Sequence, residues 1–277
     1  MNDSAPIPAG TRIFSLAPWV VRGSLSRRAY LGIALCSFAA MILAWALASG
    51  GGWVDPVFLP SPARVLGRLR IWLSEDALAR DLRISVFRVT AGFMLSLFMA
   101  IPLGIFMGSF RPVQALFEPL IEFARYLPAV AFVPLVLLWV GIGEGAKITI
   151  IWIGTFFQMV LMVADEIRRV PQSLIDAAQT LGATQSEVMW QVLFRSALPG
   201  IVDTLRVTLG WAWTYLVVAE LVASNSGLGY VILKAQRFLQ TDKIFVGIML
   251  IGVLGLAMDQ GFRLVHRRAF PWLHGKR

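Results

Sequence analysis

Six long apolar stretches constrain this chain more than any other feature of its sequence. Residues 29–54, 89–110, 126–143, 148–164 and 244–258 carry no charge, and 207–233 carries only Glu220. A helix needs about 20 apolar residues to cross the hydrocarbon of a bilayer, within a working range of roughly 17 to 25. Six spans fit this pattern, the sixth running past Asp259 to about residue 264. The third is the least regular, because Pro128 and Pro134 remove backbone donors that neighbouring helices must compensate. Composition agrees: 57% of residues are hydrophobic and 15% charged, against about a quarter charged in soluble domains. Mean hydropathy is +0.72. So few charges cannot cover a water-exposed surface, whereas 18 Phe and 10 Trp suit lipid-facing and interfacial positions. The expected fold is all-α and embedded in a membrane.

The net charge of +9 does not point to nucleic acid, because the 25 Lys and Arg are scattered between apolar runs and form no basic face. In a membrane protein such a balance reflects topology and contact with anionic lipid. Cys36 stands alone in an apolar run, so neither an internal disulfide nor a cysteine metal site is possible. His266 and His274 read as solvated residues of a basic tail, and no metal or catalytic constellation is expected. The first apolar run has 28 residues before it and exceeds the length of a signal-peptide core, so it reads as an uncleaved span.

With six spans both ends share one side. Arg12, Arg22, Arg27 and Arg28 before the first span, and Arg263, Arg267, Arg268, Lys276 and Arg277 at the end, place that side in the cytoplasm. The organisation expected is a cytoplasmic segment 1–28, a six-span domain 29–265 and a basic cytoplasmic tail 266–277. Segment 55–88 runs against the charge rule, since it would lie outside yet holds six arginines. Within it, residues 63–73 alternate apolar side chains with arginines, as in a surface-lying or ordinary connecting helix.

The most informative stretch is the cytoplasmic loop at 166–198. Pro171 suits a first helical position, a helix follows over 173–181, and Gly182 is placed to end it as a left-handed cap. Thr184 and Glu187 form a capping-box pattern that opens a second helix through about Phe194. Pro199 then marks the start of the fifth span. Asp176-Ala177-Ala178, Gly182-Ala183 and Leu198-Pro199-Gly200 resemble the "EAA" loop of the permease subunits of bacterial ABC importers. Aspartate here replaces the usual glutamate, and Phe194-Arg195 occupies the first of the two Leu-Pro positions. Further matches are Phe58-Leu59-Pro60-Ser61-Pro62, Arg88-Val89-Thr90-Ala91-Gly92-Phe93, Ile101-Pro102-Leu103-Gly104, Gly210-Trp211-Ala212-Trp213, Val218-Ala219-Glu220-Leu221 and Ser226-Gly227-Leu228-Gly229-Tyr230. Together they are similar to the branch serving nitrate, sulfonate, taurine and bicarbonate importers.

That resemblance implies a type I importer permease fold and a homodimer in the bacterial inner membrane. It also implies two ATP-binding subunits, and a periplasmic or lipid-anchored substrate-binding protein that delivers a small, anionic solute. Asp176, Ala177, Ala178, Gly182, Ala183, Leu198 and Pro199 would then be the contacts to the ATPase. No P-loop occurs, and Gly141 to Lys147 lacks its spacing, so ATP and Mg belong to the partner and no cofactor to this chain. Candidates for the solute path are Glu220, Trp211, Trp213, Tyr215 and Gln158. A charge at membrane depth faces protein or water, so Glu220 either lines the path or bonds a neighbouring helix. Arg206 is one candidate partner, but it lies about 21 Å away along one helix, too far for direct pairing within it. The three aromatics fall two apart and cannot share one helical face. Residues 224–229 read as a non-helical turn before a short helix to Leu239. An ion-coupled secondary transporter is the alternative; it would want paired ionisable groups at mid-membrane and internal repeats, and Glu220 alone is thin support.

Overall fold

A computed structural model describes residues 25–52, 54–74 and 77–273. The described residues form helices and turns, in two compact units, 1–62 and 63–277.

In the first unit, helix α1 (Arg27–Gly50) is the first apolar stretch. Ser26 caps its start by accepting a hydrogen bond from the Ala29 amide. The indole of Trp45 donates to the carbonyl of Pro60 at 3.0 Å, which ties the helix to the turn that follows it.

The second unit begins with α2 (Pro62–Ser74), the amphipathic helix expected from the arginine pattern. Three long helices then make its centre: α3 (Ala77–Ser109), α6 (Glu144–Arg168) and α9 (Arg195–Ala223). Lipid offers apolar side chains no hydrophobic reason to leave it, so such helices associate through close packing and small residues. A Cβ added at Gly104 would lie 2.7 Å from Val163 Cβ, and one at Gly108 2.6 Å from Ile167 Cβ. Glycine at both positions lets α3 and α6 run side by side in the same direction. Helix α9 runs opposite to α6: a Cβ at Gly200 would meet Glu166, and one at Gly154 would meet the Tyr215 ring. Helix α11 (Thr241–Ala269) returns alongside α9, joined by Arg206 to Asp259. Arg206 thus pairs with Asp259, and with Asp203 at 3.6 Å, rather than with Glu220.

Among the described residues, five helices are long and apolar enough to cross a membrane, or six when the bent pair that supplies the third is counted as one. The third stretch is no straight span. Helix α4 (Arg111–Arg125) and the segment Ala129–Val140, a 3-10 turn followed by α5 (Val133–Val140), meet at 89°. The charge-free run 126–143 had hidden the first half, because α4 carries Glu118 and Arg125. Glu118 is neutralised by Arg168 from the end of α6, at 2.8 Å. Helix α3 likewise starts at Ala77, so Arg80, Arg83 and Arg88 belong to a membrane helix rather than to the loop expected over 55–88. The expected break between a loop helix ending at about Phe194 and a fifth span starting at Pro199 is also absent. Residues 185–223 form one continuous helix, made of α8 (Gln185–Glu187), a π-helical turn (Val188–Phe194) and α9. Proline inside a membrane helix is tolerated where neighbours re-satisfy the freed groups. His266, expected in a solvated tail, sits in α11 against the Phe270 ring; His274 lies outside the described residues.

Candidate functional site

At one end of the bundle, the 166–198 loop folds as its turn chemistry dictates. Helix α7 (Gln172–Thr180) follows Pro171 and ends at Gly182, whose φ is +86°. The Gly182 amide donates to Gln179 O at 2.9 Å and the Ala183 amide to Ala178 O at 3.0 Å. This is the paired-bond ending in which a left-handed residue, usually glycine, closes a helix. Two residues on, Thr184 starts α8 with a complete capping box: its hydroxyl accepts from the Glu187 amide while Glu187 accepts from the Thr184 amide at 2.8 Å. The corner is therefore held by four local hydrogen bonds.

Beneath it the loop is anchored. Val188, Met189 and Leu193 are buried with Ile167 and Val170. Arg168 bridges Glu118 and Asp165, each at 2.8 Å. The outer surface is left bare. No side chain of α7 is buried, Leu181 is 88% exposed, and the Asp176 carboxylate accepts from Gln172 at 2.9 Å. Ala177 faces outward, while Ala178 and Ala183 pack inward on the core. Leu198 and Pro199 are half-buried in the continuing helix.

Glu220 lies at the opposite end of the bundle and is completely buried. It accepts from Arg88 Nη1 at 2.7 Å, from the Ser85 hydroxyl at 2.8 Å and from the Gly229 amide at 2.7 Å. Arg88, also 0% exposed, turns its other edge to Glu144 in a two-pronged pair at 2.6 and 2.7 Å. It also donates to Ser226 O at 2.7 Å. Lys147 balances Glu144 at 2.8 Å. Asp81, Ser85 and Arg88 share one face of α3, spaced four and three residues apart. Asp81 accepts from the Gly227 amide at 2.8 Å, and Ser85 from the Leu228 amide at 2.9 Å. Gly227 has a φ of +107°, and a Cβ there would strike the Glu220 carboxylate. The turn, which ends at 227 rather than at the expected 229, is thus pinned to α3, with α10 (Leu228–Arg237) starting from it. Glu220 bonds α3 through Ser85 and Arg88, and the start of α10 through the Gly229 amide. The sequence reading missed Arg88 and Glu144. The available signal was an arginine one turn after Ser85, at the edge of an apolar run.

The remaining path candidates divide by helical face. Trp211 and Tyr215, one turn apart on α9, line a cavity of about 240 Å³ together with Gln158 of α6. Trp213 points the other way, 4% exposed, and faces Gly255 of α11. The cavity opens at the break between α4 and α5, and Arg125, Gly154, Phe157 and Thr214 also border it. Gly154 and Gln158 stand midway along α6, so this cavity lies at the middle of the bundle's depth. Arg125 was not anticipated from the sequence.

The comparisons with known proteins agree with one another. The family model described as "Binding-protein-dependent transport system inner membrane component" matches residues 100–271. The chain is similar to the taurine transport system permease protein of Escherichia coli (strain K12), at 35% identity over 260 residues, 92% of this chain and 94% of that one. A putative aliphatic sulfonates transport permease protein of Bacillus subtilis (strain 168) is 34% identical, over 84% of this chain and 85% of its own length. The nitrate import permease protein of Synechocystis sp. is 26% identical, over 85% and 88%. In fold, the chain is similar to a structure of the MetNI methionine ABC transporter in an inward-facing conformation. The TM-score is 0.57 at 21% identity, covering 68% of this chain and 97% of that one.

Proposed function

The chain belongs to the family of binding-protein-dependent transport system inner membrane components, and from that premise we propose how its loop, its charges and its partners divide the labour of import. It is the permease subunit of an ABC importer, a multi-pass inner-membrane protein whose partners are an ATP-binding and a substrate-binding component. Membership of this family sets aside the ion-coupled secondary transporter.

In our reading the working complex is a homodimer of this chain with two ATP-binding subunits. These bind and hydrolyse Mg-ATP, while this chain contributes no catalytic group. Both termini and the 166–198 loop lie in the cytoplasm; α7 docks on the ATPase, with Asp176 reaching a cation there and Ala177 allowing close approach. Charge-assisted contacts of that kind strengthen as water leaves the interface. Ala178, Gly182 and Ala183 set the corner, and Leu198 and Pro199 carry the motion into α9. The observation that carries this reading is the combination of a rigidly capped corner with a bare outer surface. Four hydrogen bonds fix the shape of α7 and α8, yet none of the described residues covers the exposed Leu181 and Asp176. A helix pair held so firmly, and left uncovered, suits a lever that engages a separate motor.

We further read the solute as a small sulfonate-like anion. The relatives named for taurine, sulfonates and nitrate support that class. So do Arg80, Lys234 and Lys243, which outnumber the one acid, Asp81, around a cavity of about 510 Å³ at the end opposite the loop. Cations there raise the local concentration of anions released at the mouth.

The test uses a cysteine at position 181 in a Cys36→Ser background, labelled with a membrane-impermeant thiol reagent. Labelling is expected in inside-out vesicles and not in intact cells, and bound ATP-binding subunits should protect the site. Labelling from the outside would overturn both the topology and the lever.

A further inference from the structure

We infer that the mid-depth cavity at the α4–α5 break is a resting site for the crossing anion, with Arg125 as the residue that holds its charged head. This rests on the reading of the solute as an anion and adds to it a place and a residue.

Three observations converge. First, the backbone breaks at this depth. Residues 126–128 lie between α4 and the 3-10 turn, and the two halves meet at 89°. Non-helical backbone within a membrane is tolerated only where it is buried in protein or lines a water-filled cavity. Second, Arg125 borders that cavity and has no carboxylate within ion-pairing distance among the described residues; it donates to the Tyr126 hydroxyl at 3.0 Å and lies over that ring at 4.8 Å from its centre. Arg88 and Arg206, by contrast, are balanced, Arg88 by Glu144 and Glu220 and Arg206 by Asp259 and Asp203. Glu122, one turn earlier on α4, forms no ion pair with Arg125 and does not line the cavity. A charge in the middle of the membrane is expensive and faces protein or a water-filled path. An unbalanced cation there favours a mobile anion.

Third, the rest of the lining matches a small amphiphilic anion. Gln158 can donate from its amide and Thr214 from its hydroxyl, while Phe157, Trp211 and Tyr215 give an aromatic wall. The volume of about 240 Å³ is below the roughly 300 Å³ at which sites for drug-sized ligands begin, which suits a small solute. Tyr215 keeps its place because Gly154 has no side chain: a Cβ there would lie 2.2 Å from the ring. The site is weak by construction, since one cation and two neutral donors must also let the anion go.

The experiment uses the whole transporter, this chain with its ATP-binding and substrate-binding partners, in proteoliposomes. Taurine, ethanesulfonate and nitrate serve as radiolabelled or ion-chromatography probes, and uptake is measured per ATP hydrolysed. Arg125→Gln should lower that ratio about tenfold to a hundredfold, the worth of one hydrogen bond to a charged group. Arg125→Lys should retain most of it. In parallel, Arg125→Cys in the Cys36→Ser chain should react with a charged methanethiosulfonate, and an aminoethyl adduct should restore uptake where an anionic sulfonatoethyl adduct does not. Wild-type uptake by Arg125→Gln, or a cysteine at 125 that charged reagents cannot reach, overturns the inference and leaves the permease and its anionic solute standing. A wild-type complex that accumulates none of the three probes overturns the anionic-solute reading, and this inference with it.

Discussion

Replacing Arg88 with methionine is the sharpest perturbation the structure offers. Arg88 is completely buried and donates to Glu144 twice, to Glu220 and to the Ser226 carbonyl. Methionine has a similar length and no charge, so it fills the volume and removes all four bonds. Glu144 remains partly exposed and keeps Lys147, so its loss is modest. Glu220 is the costly remnant: it stays fully buried, keeping only Ser85 and the Gly229 amide as donors. Removing one partner of a buried pair costs about 3–5 kcal/mol, and the two surviving donors put this case near the lower figure. At about 2–4 °C per kcal/mol for a chain of this size, the unfolding midpoint should fall by about 6–12 °C.

The assay is thermal unfolding of the purified subunit in detergent, followed by tryptophan fluorescence. The double variant Arg88→Met with Glu220→Met removes the stranded charge, so it should recover at least half of the loss. A fall below about 2 °C for the single variant would mean that Glu220 finds water or another cation. A double variant no more stable than the single one would show that the cost comes from packing, not from the unpaired carboxylate.

Three further outcomes follow from the same geometry. Thr184→Ala breaks the capping box and should cost about 1 kcal/mol, read as faster amide exchange over 184–188 with the spans unchanged. Gly182→Val places a branched side chain at φ +86°, a strain of about 1–2 kcal/mol or more. ATP hydrolysis stimulated by the binding protein should drop while the spans keep their melting point; unchanged stimulation would count against the hinge. Gly154→Ala puts a methyl 2.2 Å from the Tyr215 ring, so the ring must swing towards the cavity. Uptake should fall several-fold, and Tyr215→Ala in the same chain should relieve it. Uptake left unchanged by Gly154→Ala would contradict the placement of the ring.

Much of this was legible in the sequence because it depends on neighbours only a few residues apart. Apolar runs long enough to cross a bilayer announced the spans, and Pro171, Gly182 and the Thr184–Glu187 pair announced the corner, since each turn is closed by bonds between residues three to five apart. The turn at 224–227 and the helix after it were legible for the same reason. Where the reading failed, charge was the cause. It treats Arg88 and Glu118 as marks of water, although each lies within a helix and is neutralised by a partner from elsewhere in the chain.

Only the packed bundle could decide those pairings. Arg88 and Glu220 are 132 residues apart, and no local pattern says which acid a buried arginine will meet. The same holds for the cavity. Trp211, Trp213 and Tyr215 are near-neighbours in the chain, yet the rotation of α9 against α6 and α11 sends two of them to the cavity and one to a buried seam. Helical periodicity fixes which side chains point together; the direction in which they point is set by the helices packed around them.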